Sequence, residues 1–352
     1  LEVLTIHSIT SSGLVIVVIV ALAVAQTNVV SRAECKDTNV MQAAVMAALL
    51  NPVLTLYFMV FSIHNFLHGF IVSFGLPLNV LAIGVILLKT SKASKEYALL
   101  LLNTAIIELG SIVAHFLVNG RMFIDSTTGI CVSDGPCRDI SEGFCSVMAG
   151  FMQVIMIQST TILGLSFWYR TRSLQQKTPF GRRRLQSLIL LFFIPHIFHI
   201  AAFVMLITPR EQLEPVVDKF YGKGYGRVHG LYGFVDMSEP GPALVMGYLL
   251  IFPSIPNTYI VYAWRRHIAL FREKMQIMSV KTRGIHESFT KVLTIQAASS
   301  LVVIAIIVIL AIEQEVFHLH SVDIEGLVYD FAVLPTLINP ALTLYFVRTY
   351  RL

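Results

Sequence analysis

Charge is what this chain has least of. Asp, Glu, Lys and Arg make up 13% of its 352 residues, where soluble domains carry about 25%. With 55% hydrophobic residues and a mean hydropathy of +0.73, a soluble globule of this length could not hide its apolar surface. Lipid is the natural solvent for the excess. Cysteine is scarce too, with four residues and none in the paired C-x-x-C steps of a zinc site. Low-complexity segments and Asn-x-Ser/Thr sequons are missing. So are G-x-G-x-x-G after a strand, the P-loop, G-x-S-x-G and H-E-x-x-H. These absences argue against an enzyme and against a bound cofactor. The basic loops lack the aromatic interleaving of a nucleic-acid surface. The net charge of +5 and pI near 9.0 therefore read as Lys and Arg on the cytoplasmic face of a membrane protein, with the lipid bilayer as partner and no nucleic acid.

Long apolar runs dominate what is present. They fall at roughly 3–26, 39–61, 66–88, 96–119, 144–168, 185–208, 241–264, 289–312 and 326–347. Each is long enough to cross a bilayer as a helix, at ~1.5 Å rise per residue. Helix is required because a lipid-facing backbone has to satisfy its own hydrogen bonds. The string LINPALTLYF at Leu337–Phe346 stands also at Leu49–Phe58 as LLNPVLTLYF, identical at eight of ten positions, and Val3–Ile6 repeats as Val292–Ile295. Residues 1–58 therefore read as a partial duplicate of the last two spans, ahead of a complete unit at 59–352. On this reading Leu14–Ala25 is the counterpart of Val292–Ile312 and not a signal peptide. Only Ser62–Asn65 separates the duplicate from the next span. The front pair could insert inverted, giving nine spans, or one member could fail to cross. The reading adopted is a third, in which 1–58 is the tail of a tandem neighbour joined to the chain and Met59 is the true start.

The loops set the expected orientation. Lys89, Lys92 and Lys95 follow the 66–88 run, and Arg170, Arg172, Lys177 and Arg182–Arg184 follow 144–168. Seven cations between Arg265 and Lys291 follow 241–264, and Arg348 and Arg351 end the chain. The alternate loops are neutral or acidic, with no Lys or Arg in 313–325. The expected fold class is all-α: a multi-pass membrane protein with a seven-transmembrane helix bundle from about residue 66, its N-terminal side outside and its C-terminus cytosolic.

Few residues within the spans carry chemistry. Cys131, Cys137 and Cys145 lie on the expected outer side, where disulfides persist. A Cys137–Cys145 bridge would pin the outer loop to the third span; Cys131–Cys137 competes, and Cys145 could simply be a buried apolar residue. Glu108 and Asp330 are the acidic residues of the seven spans, which also hold histidines at 68, 115, 196 and 199. A charge at mid-membrane costs about 2.5–3.5 kcal/mol on insertion scales, so such residues usually face the bundle interior. Glu108, Asn103 and Asn339 are grouped as one polar cluster, either a bistable switch or ion site or a structural hydrogen-bonded carboxyl. The Asn339 amide is expected to satisfy a backbone group freed by Pro340. His196 and His199 are three apart on one helix face, but two ligands do not make a site. Interhelical hydrogen bonding is the expectation, and no metal.

From Met59 onward the chain resembles the nematode serpentine chemoreceptors, most closely class delta (Srd). The resemblance is carried by Gly75-Leu76-Pro77-Leu78-Asn79, Tyr97 with Leu99–Asn103, and Gly135-Pro136-Cys137. Cys145, Ser166-Phe167-Trp168-Tyr169-Arg170, Gln296 and Leu337–Phe346 complete it. It implies a seven-helix receptor in the plasma membrane of sensory cilia that binds a small environmental chemical and signals through a heterotrimeric G protein. It also implies that Tyr169 and Arg170 occupy the position where other seven-helix receptors carry an acidic-Arg-Tyr triplet, here without the acid. Asn339-Pro340 resembles the NPxxY helix, with Tyr345 displaced by two positions. The sixth span has no proline after Gln296. A multi-pass transporter or a non-signalling duplicate are the rival readings.

Overall fold

The computed structural model of the protein describes residues 63–89, 95–125, 127–175, 181–317 and 321–346, which all lie in the compact unit Ser62–Leu352. The repeat at 1–58, Cys35 and the tail cations Arg348 and Arg351 lie outside the described residues. Among the described residues, seven spans are long and apolar enough to cross a bilayer. The first four are α1 (Ile63–Lys89), α2 (Lys95–Val118), α3 (Glu142–Leu174) and α4 (Arg182–Leu206). An amphipathic helix, α5 (Arg210–Tyr221), follows outside the bundle. The fifth span is split into α6 (Pro240–Ile251) and α7 (Ser254–Lys274) at Phe252-Pro253. The sixth is one unbroken helix of 38 residues, α8 (Val280–Phe317). The seventh is α9 (Val322–Val333) and α10 (Pro335–Phe346), parted at Leu334. Where the sixth span lacks proline, it runs without a break; where the fifth and seventh carry Pro253 and Pro335, they are interrupted, because proline cannot donate the backbone bond.

On α4 polar side chains face inward and large apolar ones face outward, the reverse of a helix on a soluble protein. On α4, His196 and His199 are 0% and 4% exposed while Phe198 and Leu190 are 71% and 68% exposed. That inversion is stable only when the outer face meets lipid.

Two apolar clusters mark the two ends. At one, Val85 and Ile86 of α1, Tyr97–Leu101 of α2, Leu185 of α4 and Phe289 and Val292 of α8 pack together. The basic loops leave from this end. At the other, Ile71, Ile112, Val118, Ala149, Phe203, Val245 and Tyr329 pack beneath a sheet that the sequence reading did not foresee. Strands β1 (Gly120–Asp125) and β2 (Thr128–Ser133) form an antiparallel hairpin in the loop after α2. Strand β3 (Gly230–Phe234), from the loop after α5, joins β2, with Cys131 opposite Tyr232. Gly233 has φ +144°, and a Cβ there would stand 2.9 Å from the Ile130 Cα. Only glycine lets β3 lie this close to β2. Leu213 and Val217 of α5 seal the outer face of the sheet against Phe123, Ile130 and Val132.

Arg121 ties this cap to the bundle. Its Nε donates to Asp134 Oδ2 at 3.0 Å, it donates to the Tyr225 hydroxyl, and its Nη1 lies 3.9 Å from Glu325 of α9. Burial works against the charge, but Asp134 and Tyr225 more than offset it and hold the guanidinium above its ordinary range. The Tyr221 hydroxyl of α5 donates to Glu325 as well. Cys137 and Cys145 are disulfide-bonded, with 5.0 Å between Cα atoms, joining the single turn Cys137–Ile140 to the first turn of α3. Cys131 is free and buried, its Sγ 2.8 Å from the Tyr329 hydroxyl.

Candidate functional site

The centre of the bundle is organised by prolines in α1 and α10. Pro340 has no N–H for the carbonyl of Thr336 four residues earlier. Asn79 of α1 fills that gap: its Nδ2 donates to Thr336 O at 2.8 Å and to Gly75 O at 2.9 Å. The sequence reading gave this task to Asn339. Instead, Asn339 Nδ2 donates to Glu108 Oε1 of α2 at 2.5 Å, both side chains being buried. Asn103 is not part of this pair; its Nδ2 donates to Leu99 O of its own helix at 2.8 Å.

Glu108 lines two cavities. One, of about 230 Å³, lies toward the basic end between α1, α2 and α10, beside Ala82, Thr104 and Thr343. The other, of about 540 Å³, is bounded by α2, α3, the α6–α7 break, α8 and the α9–α10 break. Its wall is mostly apolar, from residues such as Ile155, Met156, Val303 and Ile304, with hydroxyls from Ser111, Thr160 and Ser300. Asn257 lines it too, with Nδ2 on Pro253 O at 2.7 Å and a buried Oδ1 that has no hydrogen-bond partner. An apolar wall with a few polar groups, set between helices of a bundle, has the composition of a small-molecule pocket. Neither Asn257 nor the hydroxyls stood out in the sequence, since nothing in a linear pattern shows which apolar spans leave a gap.

At the basic end, Arg170 is only 7% exposed. Its guanidinium packs against an edge-to-face pair of rings, 3.7 Å from the Tyr97 centroid and 3.8 Å from that of Phe289. This cluster joins α3 to α2 and α8 by cation–π contact. Beside it His267 of α7 bridges Thr171 of α3 (3.4 Å) and Thr290 of α8 (3.0 Å). Tyr169 packs at the margin of the same apolar cluster, and Tyr345 is exposed. Sequence reasoning singled out Arg170 but missed Tyr97, Phe289, His267, Thr171 and Thr290 as its surroundings. Nearer the middle of α4, His196 meets Gln158 Oε1 (3.0 Å) and the Tyr248 hydroxyl (2.6 Å), and His199 meets Gln153 Oε1 (3.4 Å). These histidines cross-link α3, α4 and α6.

Comparison with known proteins agrees with this geometry. The serpentine type 7TM GPCR chemoreceptor Srd family model matches residues 64–352. Serpentine receptor class delta-18 of Caenorhabditis elegans is 27% identical over 282 residues, covering 79% of this chain and 83% of that protein. Class delta-3 of the same organism is 26% identical over 301 residues, covering 80% and 84%. Among solved structures, squid rhodopsin superposes with a TM-score of 0.60 at 10% identity, covering 83% of each chain, which speaks to the fold alone. A seven-span bundle, no soluble-enzyme motif and a family match along the whole described unit lead to one assignment: the chain belongs to the Srd family of serpentine seven-transmembrane GPCR chemoreceptors.

Proposed function

We propose that a small environmental molecule occupies the cavity between α2, α3, α8 and the α9–α10 break and acts on a heterotrimeric G protein through the Glu108–Asn339 bond and the Arg170–Tyr97–Phe289 cluster. The observation that carries this is the shared position of Glu108, which lines the cavity and holds the proline-bearing α10. A ligand that favours one arrangement of α8 and α10 by its differential affinity shifts the bundle toward that arrangement. The α8 helix is a single 38-residue rod, so displacement at its cavity end moves Phe289 away from Arg170 at the other. Opening that end presents the basic segments 170–184 and 265–291 to the G protein.

In this reading the basic end faces the cytosol and the sheet-capped end the exterior of the plasma membrane at a sensory cilium. The alternation of basic with acidic or neutral loops supports that orientation. The functional unit begins near Met59, with 1–58 the tail of a tandem neighbour. The family match beginning at residue 64 and the compact unit beginning at Ser62 support this boundary. Transcript sequencing across 50–70 tests it: an unbroken transcript from a single gene would remove the fusion.

The test of function is G-protein activation in cells expressing 59–352, challenged with a broad panel of volatile and water-soluble small molecules. Ligand-dependent activation is expected. Val303→Trp, which fills the cavity, is expected to raise the half-maximal ligand concentration at least tenfold at unchanged surface expression. Silence across the panel, or a response unmoved by Val303→Trp, would count against the cavity as the binding site.

A further inference from the structure

A separate cluster lies at the sheet-capped end, away from the cavity. His68 of α1, His115 of α2 and Asp330 of α9 each offer one ligand atom, and the three atoms lie within 4.8 Å of one another. His68 Nδ1 is 3.0 Å from His115 Nε2, and His115 Nε2 is 3.2 Å from Asp330 Oδ1. His115 and Asp330 are fully buried and His68 is half-buried. Without a cation the arrangement is poorly satisfied. His115 Nε2 faces a nitrogen and a carboxylate oxygen at once, and one ring N–H cannot serve both. His115 Nδ1 is buried with no hydrogen-bond partner, and Asp330 Oδ1 has on this side only the His115 nitrogen that His68 also faces. Such groups cost about 1–3 kcal/mol each when left unpaired.

We propose that these three residues bind a zinc-class divalent transition-metal ion. Two imidazoles and one carboxylate are a common donor set for zinc, with bonds of about 2.0–2.2 Å. In a tetrahedral site such bonds place neighbouring ligand atoms ~3.4 Å apart. The pairs at 3.0 and 3.2 Å need only spread by a few tenths of an ångström, and the wider pair closes by a small rotation of the half-buried His68 ring.

The surroundings have the form of a second shell. His64, one turn before His68, places Nδ1 2.9 Å from Asp330 Oδ2, the oxygen turned away from the other two ligands. A histidine N–H there fixes the carboxylate and leaves Oδ1 for the ion. A Cβ at Gly326 would overlap the His64 ring, so glycine is what allows that ring to lie against α9. Three protein ligands leave the fourth position for water or an exogenous donor atom. The ion would tie the first, second and seventh spans together, and the seventh carries Asn339. It would therefore bias the arrangement of the helix that the switch uses.

The site was not legible in the sequence because His68 and His115 are 47 residues apart and Asp330 lies in the seventh span. In the sequence His68 and His115 are two isolated in-span histidines, and the close pair His196 and His199, which has the spacing of a site, is occupied by Gln158, Gln153 and Tyr248.

The experiment is metal binding to the purified full chain in lipid nanodiscs, stripped with a chelator and then titrated with zinc chloride. Bound metal is counted by mass spectrometry and thermal unfolding is followed in parallel. One zinc per protein and a raised Tm are expected, with calcium and magnesium inert at the same concentration. His64→Ala is expected to weaken binding 10–100-fold. His68→Ala, at the half-buried position, is expected to abolish stoichiometric binding while keeping the metal-free Tm of the parent, which separates loss of a ligand from loss of folding. Cobalt substitution should give the visible absorption of a four-coordinate nitrogen and oxygen site. Less than one-fifth of a zinc per protein, or one zinc retained by both His68→Ala and His115→Ala, would overturn the assignment. No signalling is read, so the outcome stands apart from the cavity's role.

Discussion

Asn79 Nδ2 donates to the Thr336 carbonyl at 2.8 Å, the very group that Pro340 leaves without a helical partner. A proline in the last span is thus compensated by an amide in the first, 257 residues away. Asn79 Nδ2 also donates to Gly75 O one turn back on its own helix, so one side chain ties the first span to the seventh.

Asn79→Leu tests that role. The substitution fits the apolar site by size but leaves a buried carbonyl unsatisfied. The expected loss is about 1–3 kcal/mol, read as a lowered thermal midpoint in nanodiscs. A midpoint equal to that of the parent would mean the Thr336 carbonyl is satisfied in some other way.

Glu108→Gln and Glu108→Leu separate charge from hydrogen bonding. Gln keeps a carbonyl oxygen for Asn339 Nδ2, and Leu does not. Gln is expected to hold the thermal midpoint near that of the parent, and Leu to lower it by about 1–3 kcal/mol. If the switch runs through this bond, Leu also changes basal G-protein activity while Gln changes it much less. Equal effects of the two would show that the pairing with Asn339 is not what matters.

The seven spans were readable because each apolar run exceeds bilayer thickness and rare charges stand out against it. That is why Glu108 could be singled out and why Asn339 could be named as its partner. Asn103 was misplaced for a geometric reason: five residues on a helix of 3.6 per turn differ by about 140°, so it cannot share a face with Glu108. The cap was not readable. The β3 sequence GLYGF looks like loop, and its partner β2 lies on the other side of two complete spans. Spacing could not choose between cysteine pairings either, since it says nothing of what Cys131 touches. Tyr97 and Phe289 were ordinary apolar-span aromatics until the fold set both against Arg170.

The Arg170 cluster gives a graded prediction. Tyr97→Leu and Phe289→Leu each remove one cation–π partner, worth about 0.5–2 kcal/mol when desolvated. If the cluster holds the quiet state, each should raise basal signalling roughly 2- to 30-fold at matched surface expression. Arg170→Ala should then make further loss of either ring nearly silent, because the cation that both rings hold is already gone. Additive effects of the ring and arginine variants would take this contact out of the mechanism.

Cys131 yields a prediction with a defined pH dependence. Burial pushes its thiol up to about 11, against the weaker opposing effect of the Tyr329 hydroxyl beside it. The thiolate is the nucleophile, so at pH 8 almost none of the native Cys131 is reactive. In a chain carrying Cys35→Ser, with Cys137 and Cys145 disulfide-bonded, native protein should resist iodoacetamide at pH 8. It should take up one equivalent on unfolding without reductant and three after reduction. Native alkylation should rise about tenfold per pH unit, up to the value near 11. Replacing the bridge with Cys137→Ser and Cys145→Ser closes no eight-residue loop in the unfolded chain and should cost about 2–3 kcal/mol, while leaving Cys131 as slow to react as before. Three equivalents taken up by unfolded, unreduced protein would show that the bridge is absent, and one equivalent located on Cys145 by peptide mapping would show the Cys131–Cys137 pairing. Rapid native labelling at pH 8 would show that the sheet does not cover Cys131.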